Sequence, residues 1–99
     1  PPRSTLFPYT TLFRSPDSWS TQYYLGRAYY QTRNFPGAVA QFEKAARLNA
    51  SEGAVWYQLA RAYQAAGREA DARRARDEVT RLKQQSVEDD YRLLVRPPQ

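Results

Sequence analysis

The chain has 99 residues, 41% of them hydrophobic, with 15 basic and 10 acidic side chains and a formal charge of +5. That composition fits one small folding domain rather than a disordered segment. The absence of both His and Cys excludes disulfides, Cys/His zinc sites and His- or Cys-based nucleophilic catalysis. Residue 1 is Pro and Met is absent throughout, so the sequence is expected to be a fragment with a missing upstream part, while the polar outer face of residues 73–81 is expected to mark the natural C-terminal end. No apolar run approaches the roughly 20 residues that span a bilayer.

Residues 1–15, PPRSTLFPYTTLFRS, differ in character from the rest of the chain: three of the seven prolines, no acid and no helical periodicity. Thr5 to Ser15 resembles the conceptual translation of a sequencing adapter, and such scars do not belong to a fold. The alternative is a natural extended arm. Without Arg3 and Arg14, 13 basic groups face 10 acidic ones, a net charge of +3. The preference for Arg (13 against 2 Lys) and the abundant Ala read as GC-rich, bacterial coding.

Asp17 or Ser18 is placed to cap a first helix running to about Thr32. Asn34 precedes a second helix with Pro36 in its first turn, where a missing N–H is tolerated. Ala38, Phe42, Ala45 and Leu48 form its helical stripe. Asn49-Ala50-Ser51 breaks the chain, and Ser51 is expected to cap a third helix to about Ala66, closed by a left-handed Gly67. A fourth helix from about Arg68 buries Ala72, Ala75, Val79 and Leu82. Its ion pairs are expected at a spacing of four: Arg73 with Asp77, Arg74 with Glu78, Asp77 with Arg81. Ser86 is expected to start a short last helix with Val87, Tyr91 and Leu94 on one side, a solvating cap or a frayed tail.

An offset of 34 residues superimposes the chain on itself. Tyr23 meets Tyr57, Leu25 meets Leu59, Arg27 meets Arg61, Ala28 meets Ala62, and Tyr29 meets Tyr63. Ala38 then meets Ala72, Arg47 meets Arg81 and Leu48 meets Leu82. A period near 34 marks stacked helix-turn-helix units. The chain resembles tetratricopeptide repeats over about residues 18 to 85. The first copy carries Leu25, Gly26, Tyr29, Ala38, Phe42 and Ala45 of the family pattern. The second carries Trp56, Leu59, Ala60, Tyr63 and Ala72, with Arg76 in place of the aromatic. The expected fold is therefore all-α: two tandem antiparallel hairpins (about 18–50 and 52–85) in a short right-handed solenoid, with residues 86–99 as cap helix and tail. Small residues such as Gly26, Ala28, Ala60 and Ala62 are expected to let the helices approach closely. Two repeats bury little surface, so marginal stability or self-association through the exposed first helix is expected.

At about 100° per residue, Gln22, Leu25, Gly26 and Tyr29 fall on one side of the first helix and Tyr23, Arg27 and Tyr30 on the other. Tyr57, Arg61 and Gln64 are the matching set in the third. The resemblance implies that these helices line a concave surface that binds peptides. Tyr and Arg suit an extended ligand with acidic or terminal carboxylate groups. The open alternative is that Tyr23 and Tyr57 pack between helices while the arginines are solvated. Trp19 and Trp56 read as core or repeat-interface residues. The family's lysine- and asparagine-based carboxylate clamp is not matched by Tyr23 and Arg27.

The functional expectation is a non-catalytic scaffold for a protein or peptide, with no cofactor and no metal. The alternative is a C-terminal appendage of an enzyme or secreted factor whose active site lies upstream. Nucleic-acid binding is disfavoured because the arginines of 68–81 alternate with Glu69, Asp71, Asp77 and Glu78. Glu88-Asp89-Asp90 point in different directions around a helix and read as helix-start electrostatics. Lack of Cys does not choose between cytoplasm and periplasm.

Overall fold

The computed structural model describes residues 18–95. The adapter-like segment, Asp17 as a cap and the Pro97-Pro98 stop lie outside the described residues. Four helices run in succession: α1 (Trp19–Gln31), α2 (Phe35–Leu48), α3 (Gly53–Ala65) and α4 (Glu69–Val95). No strand accompanies them among the described residues.

The tight turns within each hairpin obey the 34-residue period atom for atom. After α1, the Asn34 amide donates to the Tyr29 carbonyl at 2.8 Å and the Arg33 amide to the Tyr30 carbonyl at 3.0 Å. After α3, the Arg68 amide donates to the Tyr63 carbonyl at 2.8 Å and the Gly67 amide to the Gln64 carbonyl at 3.1 Å. Both turns are the helix ending in which a left-handed residue lets two amides reach orphan carbonyls. Gly67 takes that conformation at φ 81°, as expected, while its counterpart Arg33 adopts φ 66° without being a glycine.

Helix starts are less uniform. Asn34 caps α2 through its side-chain oxygen, which accepts from the Gly37 amide at 3.1 Å, and Pro36 sits in the first turn. The cap of α3 is Glu52, whose carboxylate accepts from the Ala54 amide at 3.5 Å. Ser51, expected in that role, lies one residue too early and bonds the Asn49 side chain instead at 3.2 Å. Ser18 occupies the cap position of α1, but its hydroxyl pairs with that of Ser20 at 2.8 Å and caps nothing.

α2 packs between α1 and α3, and α4 packs on α3. The buried cluster joins Val39 and Phe42 of α2 to Val55, Leu59 and Tyr63 of α3, and seven of its twelve members are alanines. Alanine lets helix axes approach closely but removes little apolar area from water. Phe42, fully buried, contributes about 1.5–3 kcal/mol by itself. Trp19, Tyr23, Tyr29, Tyr30 and Trp56 form a half-buried aromatic rim around this cluster, and the Trp56 indole N–H donates to the Ala50 carbonyl at 2.7 Å. On α4, Ala72 and Ala75 are buried as expected, and Val79 and Leu82 are half-buried. The close approach of helices is tightest at Gly26: a Cβ there would come within 2.7 Å of the Phe42 ring.

Several further expectations need correction. Leu25 and Ala28 point outward rather than into the hairpin, because Gly26 is turned onto Phe42 and carries Tyr23 inward with it. Leu48 closes the α2 stripe in sequence but is 47% exposed at the end of the helix. The separate helix expected from Ser86 is instead the continuation of α4. Lys83-Gln84-Gln85-Ser86 holds no Gly, Pro or Asn, so nothing there stops propagation. The resulting 27 residues measure about 40 Å at 1.5 Å each, roughly twice the length of α3. Ion pairs on α4 form at a spacing of three: Asp71 bridges Arg68 and Arg74, Glu78 takes Arg81, and Asp89 takes Arg92 at 3.9 Å. Spacings of three and four are both neighbours on a helix, and the expected 73–77, 74–78 and 77–81 pairs do not form among the described residues. No helix of the described residues is long and apolar enough to cross a membrane.

Candidate functional site: two basic clefts along α1 and α3

Arg27 and Tyr30 of α1 meet Gln58 and Arg61 of α3 across a cleft of about 420 Å³, closed at one end by Arg33 and Phe35 from the first turn. The packing of α2 against both helices sets this distance, so the cleft exists only when the two repeats are stacked. Its floor is aromatic. The Arg61 guanidinium lies 4.9 Å from the Tyr30 ring, Arg33 lies 5.7 Å from the Phe35 ring, and the two rings meet edge-on at 5.2 Å. Arg27 is held between Tyr23 and Tyr24 at 5.9 and 5.8 Å. Stacking of this kind orients a guanidinium without neutralising it.

Three guanidiniums therefore line one cleft that contains no carboxylate, and none of the three has an ion pair among the described residues. Arg61 donates one long bond, to the Gln58 side-chain oxygen at 3.4 Å. Arg33 adds a backbone observation. A non-glycine residue at φ 66° is disfavoured by roughly 1–2 kcal/mol, and the equivalent position of the second repeat is glycine. Strained backbone retained beside a cleft points toward use of the side chain.

A second cleft of about 480 Å³ opens between α3 and α4. Tyr57, Ala60, Arg61 and Gln64 form one wall, and Arg76, Val79, Thr80 and Lys83 the other. Here Arg76 stands where the first repeat has Phe42. Phe42 is fully buried at its place, whereas Arg76 is exposed and lines the cleft.

The six side chains singled out from the sequence thus divide. Arg27, Tyr30 and Arg61 come together in the first cleft, and Tyr57, Arg61 and Gln64 in the second, with Arg61 shared. Tyr23 lies in neither. Its ring is half-buried against Phe42, Trp19 and Tyr24, whereas Tyr57 is 54% exposed. Sequence reasoning missed Arg33, Phe35 and Gln58. The one available signal was the 34-residue register itself, which sets Arg33 opposite a turn glycine.

Away from the clefts, the Tyr63 hydroxyl donates to the Glu43 carboxylate at 2.5 Å, tying α3 to α2. Burial first, then the bonded carboxylate, pushes the phenol up to about 12, with Arg68 and Arg74 opposing.

An antiparallel stack of helical hairpins with one register across two copies is a helical-repeat protein. Residues 19–51, the whole first hairpin, match the family model of the tetratricopeptide repeat. The second hairpin repeats the register of that tetratricopeptide repeat at an offset of 34 and packs on it as tandem helix-turn-helix repeats do. No curated protein and no solved structure matches it significantly. Such repeats mediate protein–protein interaction and are typically non-catalytic.

Proposed function

We propose that this chain is a binding scaffold, without catalysis of its own, that holds an extended peptide carrying acidic side chains or a terminal carboxylate in the cleft between α1 and α3. One observation carries the reading: Arg27, Arg33 and Arg61 converge on that cleft with no acidic residue among its described walls. Forked guanidiniums pair with carboxylates bidentately, and the pre-oriented side chains lose little entropy on binding. Tyr30 and Phe35 supply flat apolar contact for the peptide between its charges. Tyr57 and Gln64 extend the same strip into the second cleft.

The test uses a labelled octapeptide rich in Glu and Asp with a free C-terminus, and its uncharged, amidated counterpart. By fluorescence anisotropy the charged peptide binds, binding weakens with salt, and Arg27→Ala plus Arg61→Ala lowers affinity at least about tenfold, as loss of charge-assisted hydrogen bonds does. Equal affinity for the two peptides, or indifference to the double substitution, defeats the proposal.

A further inference from the structure

The second half of α4 is a helix with nothing to lie on. Val87, Tyr91, Leu93, Leu94 and Val95 are all more than half exposed, and beyond about Lys83 the helix runs past the end of its hairpin. This overhang is about twelve residues long, close to the thirteen of α1 and of α3. Its sequence continues the repeat register. Tyr23 and Tyr57 lead to Tyr91, and Leu25 and Leu59 lead to Leu93. The overhang therefore has the pattern of a third first-helix, and the cleft between α3 and α4 is the place such a helix would take.

The contact chemistry has changed on both sides of that interface together. Between the first and second repeats, Phe42, Ala46, Val55 and Trp56 belong to the apolar cluster and its rim. Thirty-four residues later these positions are Arg76, Thr80, Asp89 and Asp90. A cation replaces the ring on the cleft wall, where Lys83 adds a second, and anions replace apolar groups on the overhang.

A straight helix cannot fold onto its own flank, and Lys83 to Ser86 contains no residue that breaks one. We infer that the occupant is a second copy of this chain: the α4 overhang of each protomer lies in the α3–α4 cleft of its partner, Asp89 and Asp90 facing Arg76 and Lys83, in a two-fold exchange. The interface is isologous, so it closes at a dimer. It covers Tyr57 and Gln64 and borders Arg61, which both clefts share, and it leaves Arg27, Tyr30 and Arg33 open, so in the dimer the peptide strip is confined to the first cleft. The exposed Tyr24 and Leu25 of α1 offer no such charge match.

The chain has no cysteine, which makes disulfide mapping direct. In the first interface Arg61 lies over Tyr30 at 4.9 Å, and the same register sets Val95 against Gln64. A Gln64→Cys chain mixed with a Val95→Cys chain under mild oxidation gives a covalent heterodimer. Sedimentation of the unmodified chain gives a dimer, which Arg76→Glu plus Lys83→Glu weakens at least tenfold. Adding Asp89→Lys plus Asp90→Lys to that chain restores it. A monomer at every concentration, a disulfide that forms only within one Gln64→Cys/Val95→Cys chain, or a dimer indifferent to charge reversal overturns the inference. If the charge-reversed chain loses its helical circular dichroism, the mixed-cysteine crosslink decides alone.

Discussion

In the first hairpin Gly26 gives up its side chain so that Phe42 can seat a ring against the backbone of α1; in the second, Ala60 keeps its methyl because Arg76 has no ring to seat. Backbone turns at the two places agree hydrogen bond for hydrogen bond. What differs is whether the interhelical space is filled. A repeat fold tolerates this because each hairpin is held by its neighbours as much as by its own pair of helices. The filled hairpin seats the largest fully buried ring, and the open one leaves a cleft. Four tests probe the comparison of the two hairpins, in order of expected size.

Phe42→Ala removes the largest fully buried side chain of the cluster and costs about 3–5 kcal/mol. With so alanine-rich a core this exceeds or matches the total, and urea denaturation loses its cooperative transition. Arg76→Ala at the equivalent, exposed position stays within about 0.5 kcal/mol. If the two cost the same, the division is wrong.

Gly26→Ala tests the same space from the other side. The added methyl meets Phe42 at 2.7 Å, and overpacking of about 1–3 kcal/mol outweighs the roughly 1 kcal/mol gained in helix propensity. Combined with Phe42→Leu, the same substitution becomes neutral or favourable. Additive losses in the pair would show that the ring does not set the requirement.

Tyr63 links the hairpins and makes their union alkali-sensitive. Its phenol is raised to about 12 in the folded chain, against the ordinary 10 when unfolded. The stabilisation is complete below pH 10 and is lost as pH climbs toward 12, because the unfolded chain gives up the proton first. Tyr63→Phe costs about 0.5–1.5 kcal/mol at neutral pH through the lost bond to Glu43. It also flattens the decline of stability between pH 10 and 12, read as the difference between the two chains' urea midpoints.

The smallest effect distinguishes the turns. Arg33→Gly relieves a left-handed arginine and raises stability by about 0.5–1 kcal/mol, while Gly67→Ala lowers it by a similar amount. If Arg33 is kept for the cleft, the stabilised chain binds the acidic octapeptide more weakly. Unchanged binding would make the strain incidental.

Much of the fold was legible in the sequence because a helical repeat writes its signal twice. The period of 34, Asn34 with Pro36, and Gly67 each fix a boundary by local chemistry. Faces were harder. The projection of α1 put Leu25 inside and Tyr23 outside; Gln22, Gly26 and Tyr29 do lie on the packed side, but the contact of Gly26 with Phe42 rotates the helix far enough to bring Tyr23 in and leave Leu25 out. Ser51 lost its capping role to Glu52 by one residue, a shift that side-chain preference alone does not resolve. The first cleft was half visible: Arg27, Tyr30 and Arg61 come from the register. Arg33 and Phe35 reach it only through the shape of a turn.

The unbroken α4 also dictates how the chain comes apart. Twelve residues on their own are too short to start a stable helix in water, since nucleation is costly and each added residue gains little. The overhang is helical because it propagates from turns already ordered against α3. In the monomer its amides therefore exchange with solvent first, from Val95 inward, and the exchange front halts near Lys83, whereas docking in a partner's cleft moves that front outward toward Val95. In a two-repeat stack, that front is a ruler built into the protein: the residue at which exchange stops marks where packing begins.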